Sequence, residues 1–227
     1  MDSRPDPTVA APPGLPPGAA SDVVEEAVAL GGPTVRMLRP RDGDAVLDEL
    51  LAEDDPEEER LPFWTQLWPS GTALARTVAG RPLAGRRVLE LGCGLGLVSV
   101  AAALAGAEVL AVDRSPEAVA FTAANATRNG AQVRTAVCAF DQPDLLLAEA
   151  PWDLVLAADV LYEQRNIPVV LWLLPRLAGP AGEVWLADPG RNGLDKFLAG
   201  VDATGWHRDQ LPAGGGLVTI HRLRRAT

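Results

Sequence analysis

The stretch RRVLELGCGLGLVSVAAALAG, residues 86–106, joins a short apolar run to a glycine-rich turn and then to a small-residue apolar segment. Residues 86–91 are too few for a buried helix and suit a strand covered on both faces. Gly92, Gly94 and Gly96 follow with G-x-G-x-G spacing. Without side chains, these positions let the backbone turn tightly and approach a ligand. A helix starting directly afterwards points its unpaired N–H groups at that ligand. A dinucleotide-binding turn prefers G-x-G-x-x-G, and here Leu97 stands where the last glycine belongs.

Working outward, the same grammar repeats. Further strands are expected at 108–112, 132–140, 152–158 and 182–187, with helices between them. The helix after the second strand has Ser115 as its cap and Pro116 in its first turn, and it ends near Asn129-Gly130. Strand–helix alternation implies a parallel sheet with right-handed crossovers. Residues 206–211 and 217–223, joined by Gly214-Gly215-Gly216, read as a closing antiparallel hairpin. Before residue 60 the pattern differs. Residues 1–22 are rich in Pro, Ala and Gly and read as a disordered tail. A strand is expected at 34–39, followed by a short helix from Asp44 through Leu51. Residues 42–59 carry ten acids and no base. They read as a solvated helix and linker, with the alternative of steering a basic substrate.

Composition narrows the function classes. The 227 residues are 48% hydrophobic with a formal net charge of -10, which disfavours binding to nucleic acid or anionic lipid. No apolar stretch reads as a membrane span: 88–112 is broken by Glu90 and Glu108, and 167–178 holds Pro175 and Arg176. No secretory signal pattern opens the chain, so a cytoplasmic location is expected. Two Cys and two His give no familiar zinc spacing, and no metal site is expected. Cys93 and Cys138 read as small buried fillers.

Each expected strand ends in or just before an acid: Glu90, Asp113, Asp141, Asp159 and Asp188. Ligands of open parallel sheets bind at the carboxyl ends of strands, and buried carboxylates demand polar partners. Asp113, ending the second strand, is placed to accept hydrogen bonds from ribose hydroxyls. Together, Glu90 to Gly96, the Ala111-Val112-Asp113 run and the acid-ended later strands resemble a class I S-adenosylmethionine-dependent methyltransferase over about residues 60–223. The resemblance implies a Rossmann-like, doubly wound α/β sheet of seven strands, mostly parallel with a C-terminal antiparallel hairpin. It implies S-adenosyl-L-methionine as cofactor, held at Glu90, Gly92, Gly94, Gly96 and Asp113, with Phe140 and Asp141 at the adenine. Residues 61–227 are then the methyltransferase domain, and 23–60 a strand and helix extension.

Two motifs narrow the resemblance. Asp159-Val-Leu-Tyr162 is similar to the D-x-x-Y element after the fourth strand of seven-strand protein lysine methyltransferases; Tyr162 is the only tyrosine of the chain. LPFWTQLWPSG, residues 61–71, resembles the W-P-x-G element of that subfamily, which places Trp68 beside the cofactor or simply in the core. Asp188-Pro-Gly-Arg191 resembles the branch acting on the electron transfer flavoprotein β subunit, to which nicotinamide N-methylase-like sequences are also related. The resemblance implies N-methylation of a lysine side chain on a protein partner. Asp159 would orient the incoming amine, with a direct general-base role as the alternative, and Tyr162 would wall the channel or share the hydrogen bonding. Methylation of a small amine or heterocycle is the alternative. A nicotinamide-dinucleotide dehydrogenase and a cofactor-binding module without turnover fit less well. A monomer is expected.

Overall fold

The computed structural model describes residues 11, 13, 22–43, 45–46, 62–213 and 216–226. Its main sheet has seven strands: β3 (Arg87–Leu91), β4 (Glu108–Asp113), β5 (Val133–Val137), β6 (Trp152–Ala158), β7 (Ala178–Asp188), β8 (Trp206–Leu211) and β9 (Thr219–Arg225). Their order is β5-β4-β3-β6-β7-β9-β8. The first five run parallel, while β9 pairs antiparallel with both β7 and β8. The alternation of apolar side chains along each strand fills two separate layers. Val88, Leu154, Leu156, Trp185 and Ala187 face one core with α1 (Pro69–Ala79), α2 (Leu97–Leu104) and α3 (Pro116–Arg128). Leu89, Leu91, Leu110, Val155, Ala157 and Leu186 face the other, with α4 (Asp144–Glu149), α5 (Asn166–Leu177) and α6 (Leu194–Ala203). A strand apolar at every position is what burial between two helical layers requires.

Strand order reverses at β3. The chain winds outward through β4 and β5 and then crosses back to place β6 on the other flank of β3. The helices that follow β3 and β6 therefore lie in opposite layers, which makes this the switch point where doubly wound sheets bind ligands.

Three expectations about strands need correction. β5 ends at Val137 rather than residue 140: the Cys138 amide still bonds the Asp113 carbonyl at 2.8 Å, and a turn from Gln142 N to Ala139 O at 3.1 Å then bends the chain away. Asp141 is thus an exposed turn residue beyond the strand. β7 starts at Ala178 rather than 182, because Ala178 pairs with Trp152 across a register shift before Leu154. Gly182 sits where a Cβ would lie 2.7 Å from both Trp152 O and Gly179 N, so the Gly-Pro sequence marks a bulge inside the strand rather than a loop before it. The third concerns the N-terminal part. Residues 34–39 do form a strand, β2 (Thr34–Pro40), but it pairs antiparallel with β1 (Val23–Ala29), for which no strand was expected.

That hairpin is fastened to α3. Asn125 Nδ2 donates to Leu38 O at 3.0 Å and Asn125 Oδ1 accepts from Leu38 N at 2.6 Å; Asn129 does the same with Arg36 O and N, each at 2.8 Å. Glu25, 7% exposed, pairs with Arg36 at 2.5 Å and with Arg128. Burial opposes its ionisation, yet the two guanidiniums together hold its carboxyl below the ordinary value. Of the helix expected from Asp44 through Leu51, residues 45 and 46 are helical, as is residue 43 just before it; the rest, most of the acidic run and nearly all of the tail at 1–22 lie outside the described residues. Among the described residues no helix is long and apolar enough to cross a membrane, and no group of three or more His, Cys, Asp or Glu is placed to hold a metal.

Candidate active site

The glycine turn after β3 is shaped by its neighbours as much as by its sequence. Gly92 has φ +68° and Gly96 φ +81°, conformations that favour glycine. A Cβ on Gly92 would stand 3.2 Å from Val160 Cγ1 and 3.7 Å from Phe140 Cζ, so the loops after β5 and β6 close over it. A Cβ on Gly96 would stand 2.7 Å from Thr122. From α3, the Thr122 hydroxyl donates to Gly94 O at 3.0 Å and Asn125 Nδ2 donates to Leu95 O at 2.9 Å. These two helix residues escaped the sequence reading. The available signal was their i,i+3 spacing, two buried polar residues on the inner face of an amphipathic helix.

Asp113 ends β4 beside this turn. Its Oδ2 accepts from Gly94 N at 2.9 Å and its Oδ1 from Ser115 N at 3.0 Å, so one carboxylate ties the glycine turn to the start of α3. Desolvation raises its pKa against the pull of those amides. Glu90, 2% exposed on β3, accepts from the Ser99 hydroxyl. Burial, reinforced by the neighbouring Asp113 charge and opposed by Ser99, pushes its carboxyl up to about 8.

A second group forms after β6 and β7. Asp159 immediately follows β6, has φ +60°, is 8% exposed and bonds through its amide to Ala187 O at 2.9 Å. Its Oδ1 accepts from Arg191 Nε at 2.7 Å. Arg191 is held in turn by its own backbone amide, which donates to Asp188 Oδ1 at 2.7 Å. Its guanidinium carbon lies 5.8 Å from the centre of the Trp68 ring. Trp68 caps α1 and donates its indole N–H to Phe63 O at 2.7 Å, and the Phe63 and Tyr162 rings meet at 5.0 Å. Phe63 and Tyr162 are both exposed, so they form an aromatic rim. Partial burial raises the Tyr162 phenol, which therefore remains protonated at neutral pH.

The predicted residues thus fall into two neighbouring groups. Glu90, Gly92, Gly94, Gly96, Asp113 and the Phe140 ring gather at the turn after β3, and Asp159, Tyr162 and Trp68 gather with Arg191 beyond β6 and β7. Asp141 is exposed past Phe140. Trp68 is brought to Arg191, whereas the tryptophan against the glycine turn is Trp64, whose Cα lies 3.8 Å from where a Gly94 Cβ would be. Trp64, stacked 5.4 Å from Phe121, was missed because two tryptophans four residues apart look alike in sequence.

A glycine cradle that leaves a side chain little room at Gly92 and none at Gly96, next to a strand-end carboxylate and an aromatic ring, fits a ligand carrying a sugar and a base. With the β5-β4-β3-β6-β7-β9-β8 order it defines a class: the class I methyltransferases, whose cofactor is S-adenosylmethionine. The chain belongs to the lysine methyltransferase family, whose profile matches residues 57–201. Among curated relatives, it is 36% identical over 135 residues to the electron transfer flavoprotein beta subunit lysine methyltransferase of Danio rerio, covering 57% of this chain and 51% of that protein. It is 32% identical over 135 residues to a ubiquinone biosynthesis O-methyltransferase of Xylella fastidiosa, covering 59% and 53%. The chain thus spans about half the length of these relatives. A solved T. thermophilus 16S rRNA N2 methyltransferase, in complex with AdoMet and guanosine, superposes with TM-score 0.64 at 17% identity, over 94% of this chain and 52% of that one. A TehB-like SAM-dependent methyltransferase from Corynebacterium glutamicum gives TM-score 0.56 at 17% identity, over 68% and 88%. At these identities the two structures speak for the fold.

Proposed function

We propose that the protein transfers a methyl group from S-adenosylmethionine to the side-chain amine of a lysine on a protein substrate. The observation that carries this reading is Asp159, a buried carboxylate at the switch-point edge next to the glycine turn, overlooked by the Phe63–Tyr162 rim. Relatives named as protein lysine methyltransferases support it. Glu90, the glycine turn, Asp113, Phe140, Asp141 and Trp68 are assigned to the cofactor, and Asp159 and Tyr162 to the incoming amine. The cofactor supplies an activated methyl on a sulfonium, and the chain's task is alignment and exclusion of water.

A free lysine with pKa about 10.4 is neutral in only about one copy in 2,500 at pH 7, which costs roughly 4.6 kcal/mol. A carboxylate favours the ammonium, so Asp159 captures and orients the cation rather than deprotonating it. The proton leaves to water as the amine moves away from Asp159 and loses its hydration. Tyr162, protonated, lines the path. The enzyme is assigned to the cytoplasm and works as a monomer, with protein rather than nucleic acid as partner.

The test is incubation of purified protein and tritiated cofactor with lysate from a strain lacking the gene. Label in a protein band that yields methyl-lysine on hydrolysis is the expected result. Label confined to small molecules would move the assignment to a small-amine methyltransferase. Asp159→Asn should retain cofactor affinity and lose roughly 30- to 1,000-fold in kcat/KM.

A further inference from the structure

Resting on that reading, we infer that Arg191 is a resident stand-in for the substrate's ammonium, and that exchange against it makes the site select an alkylammonium head over a neutral one. The two ends of the Asp159–Arg191 pair are unequally held. Asp159 is fixed by the hydrogen bond its backbone N–H donates to Ala187 O and is 8% exposed, whereas the Arg191 side chain is 37% exposed and, apart from this pair, only its backbone is anchored, on Asp188. The movable partner is the cation.

The bond itself is of the exchangeable kind. Arginine grips carboxylates in two ways in this fold: with two nitrogens where Arg134 meets Glu149 at 2.9 and 2.7 Å and Arg222 meets Asp209 at 2.7 and 2.6 Å, and through Nε alone in the exposed pairs Arg39–Glu26 at 2.8 Å and Arg41–Asp22 at 2.7 Å. Arg191 reaches Asp159 through Nε alone, at 2.7 Å. Two-nitrogen forks add energy and geometric definition that a one-point contact lacks. What surrounds the guanidinium also suits another cation. The Trp68 ring, 5.8 Å from its carbon, attracts any positive charge, and the Phe63–Tyr162 rim beside it is apolar enough for a four-carbon stem.

Selectivity follows from the cost of an unpaired buried charge. A neutral heterocycle that pushed Arg191 aside would leave Asp159 without a counter-ion in a nearly closed position, which is strongly unfavourable. An ammonium replaces one cation by another and leaves the count unchanged. Asp188, the second carboxylate near Arg191, holds the arginine's backbone amide at 2.7 Å, an anchor that does not depend on the side-chain pair with Asp159.

The test uses n-butylamine hydrochloride as probe and 1-butanol as its neutral counterpart, titrated at pH 7 into nitrogen-15-labelled protein with and without S-adenosylhomocysteine. The Trp68 indole N–H and the Arg191 Nε–H signals are followed, the former assigned with Trp68→Phe. In wild type the amine should shift both signals and the alcohol neither. If Arg191 covers Asp159 about 90% of the time, Arg191→Ala should bind butylammonium roughly tenfold tighter, and Asp159→Asn should not bind it. Arg191→Gln, closer in length, replaces Ala should that variant not fold. Equal or weaker amine affinity in the arginine variants, or butanol binding as well as butylammonium, would overturn the inference and leave Arg191 a fixed structural partner. Failure of wild type to bind S-adenosylhomocysteine would instead count against the methyltransferase reading, and the arms without it still decide the exchange.

Discussion

Replacing Glu90 by Gln should abolish a pH dependence that the wild-type fold carries. Glu90 is 2% exposed and its carboxyl is pushed up to about 8, first by burial, from an ordinary value of 4.5. The folded state therefore holds this proton more tightly than the unfolded chain. The stability so gained is complete below about 4.5 and is lost as pH rises toward 8, with a slope of up to ~1.36 kcal/mol per pH unit inside that window. Above 8 the loss is complete and amounts to a few kcal/mol. Gln keeps the shape, accepts from or donates to Ser99, and has no proton to lose. Because ~1 kcal/mol corresponds to roughly 2–4 °C for a chain of this size, the Tm of wild type relative to Glu90→Gln should fall by several degrees between pH 5 and 8.5. Thermal unfolding of both proteins across that range measures it. Parallel curves would show that Glu90 is charged in the fold at neutral pH and that the argument from its burial is wrong.

Three further outcomes are expected. Asp113→Ala should lose charge-assisted hydrogen bonding worth ~1.5–3 kcal/mol in total, weakening S-adenosylhomocysteine by roughly 10- to 150-fold in calorimetry; unchanged affinity would remove Asp113 from the site. Gly96→Ala combines φ +81° with a Cβ 2.7 Å from Thr122, and should cost about 2–5 kcal/mol in denaturant unfolding, partly relieved by a second change, Thr122→Ser. Asn125→Ala strands polar groups of Leu38 and Leu95, at about 1–3 kcal/mol for each; hydrogen exchange should quicken at both the N-terminal hairpin and the glycine turn, and protection lost at the hairpin alone would break the proposed link.

The central strands were legible because burial on both faces forces continuous apolar runs, and the turn was legible because only glycine fits at Gly92 and Gly96. β1 was not, since Glu25-Glu26 interrupts its pattern. Glu25 is buried between two guanidiniums, Arg36 across the hairpin and Arg128, more than a hundred residues away, and no local window contains the second partner. β7 was read short because Gly179-Pro180-Ala-Gly182 looks like a loop until Trp152 is seen pairing through it. The same limit applied at the site. Asp113 and Asp159 announced themselves at strand ends, but the reach of Arg191 from the loop after β7 to the acid after β6 is a consequence of strand order, which single residues do not spell out.

The asparagine clasp has a geometric meaning of its own. Four residues of helix rise about 6.0 Å, and two residues of strand rise about 6.6–6.8 Å. Asn125 and Asn129 are four apart on α3, and their partners Leu38 and Arg36 are two apart on β2. The two periods are close enough for one helix face to mimic a neighbouring strand, with each carboxamide supplying the donor and acceptor that a peptide unit would. An isolated two-stranded ribbon is marginal in water, and its open edge invites pairing with another chain. Here that edge is answered by side chains too short to propagate a ladder, so the ribbon is completed and terminated at the same place.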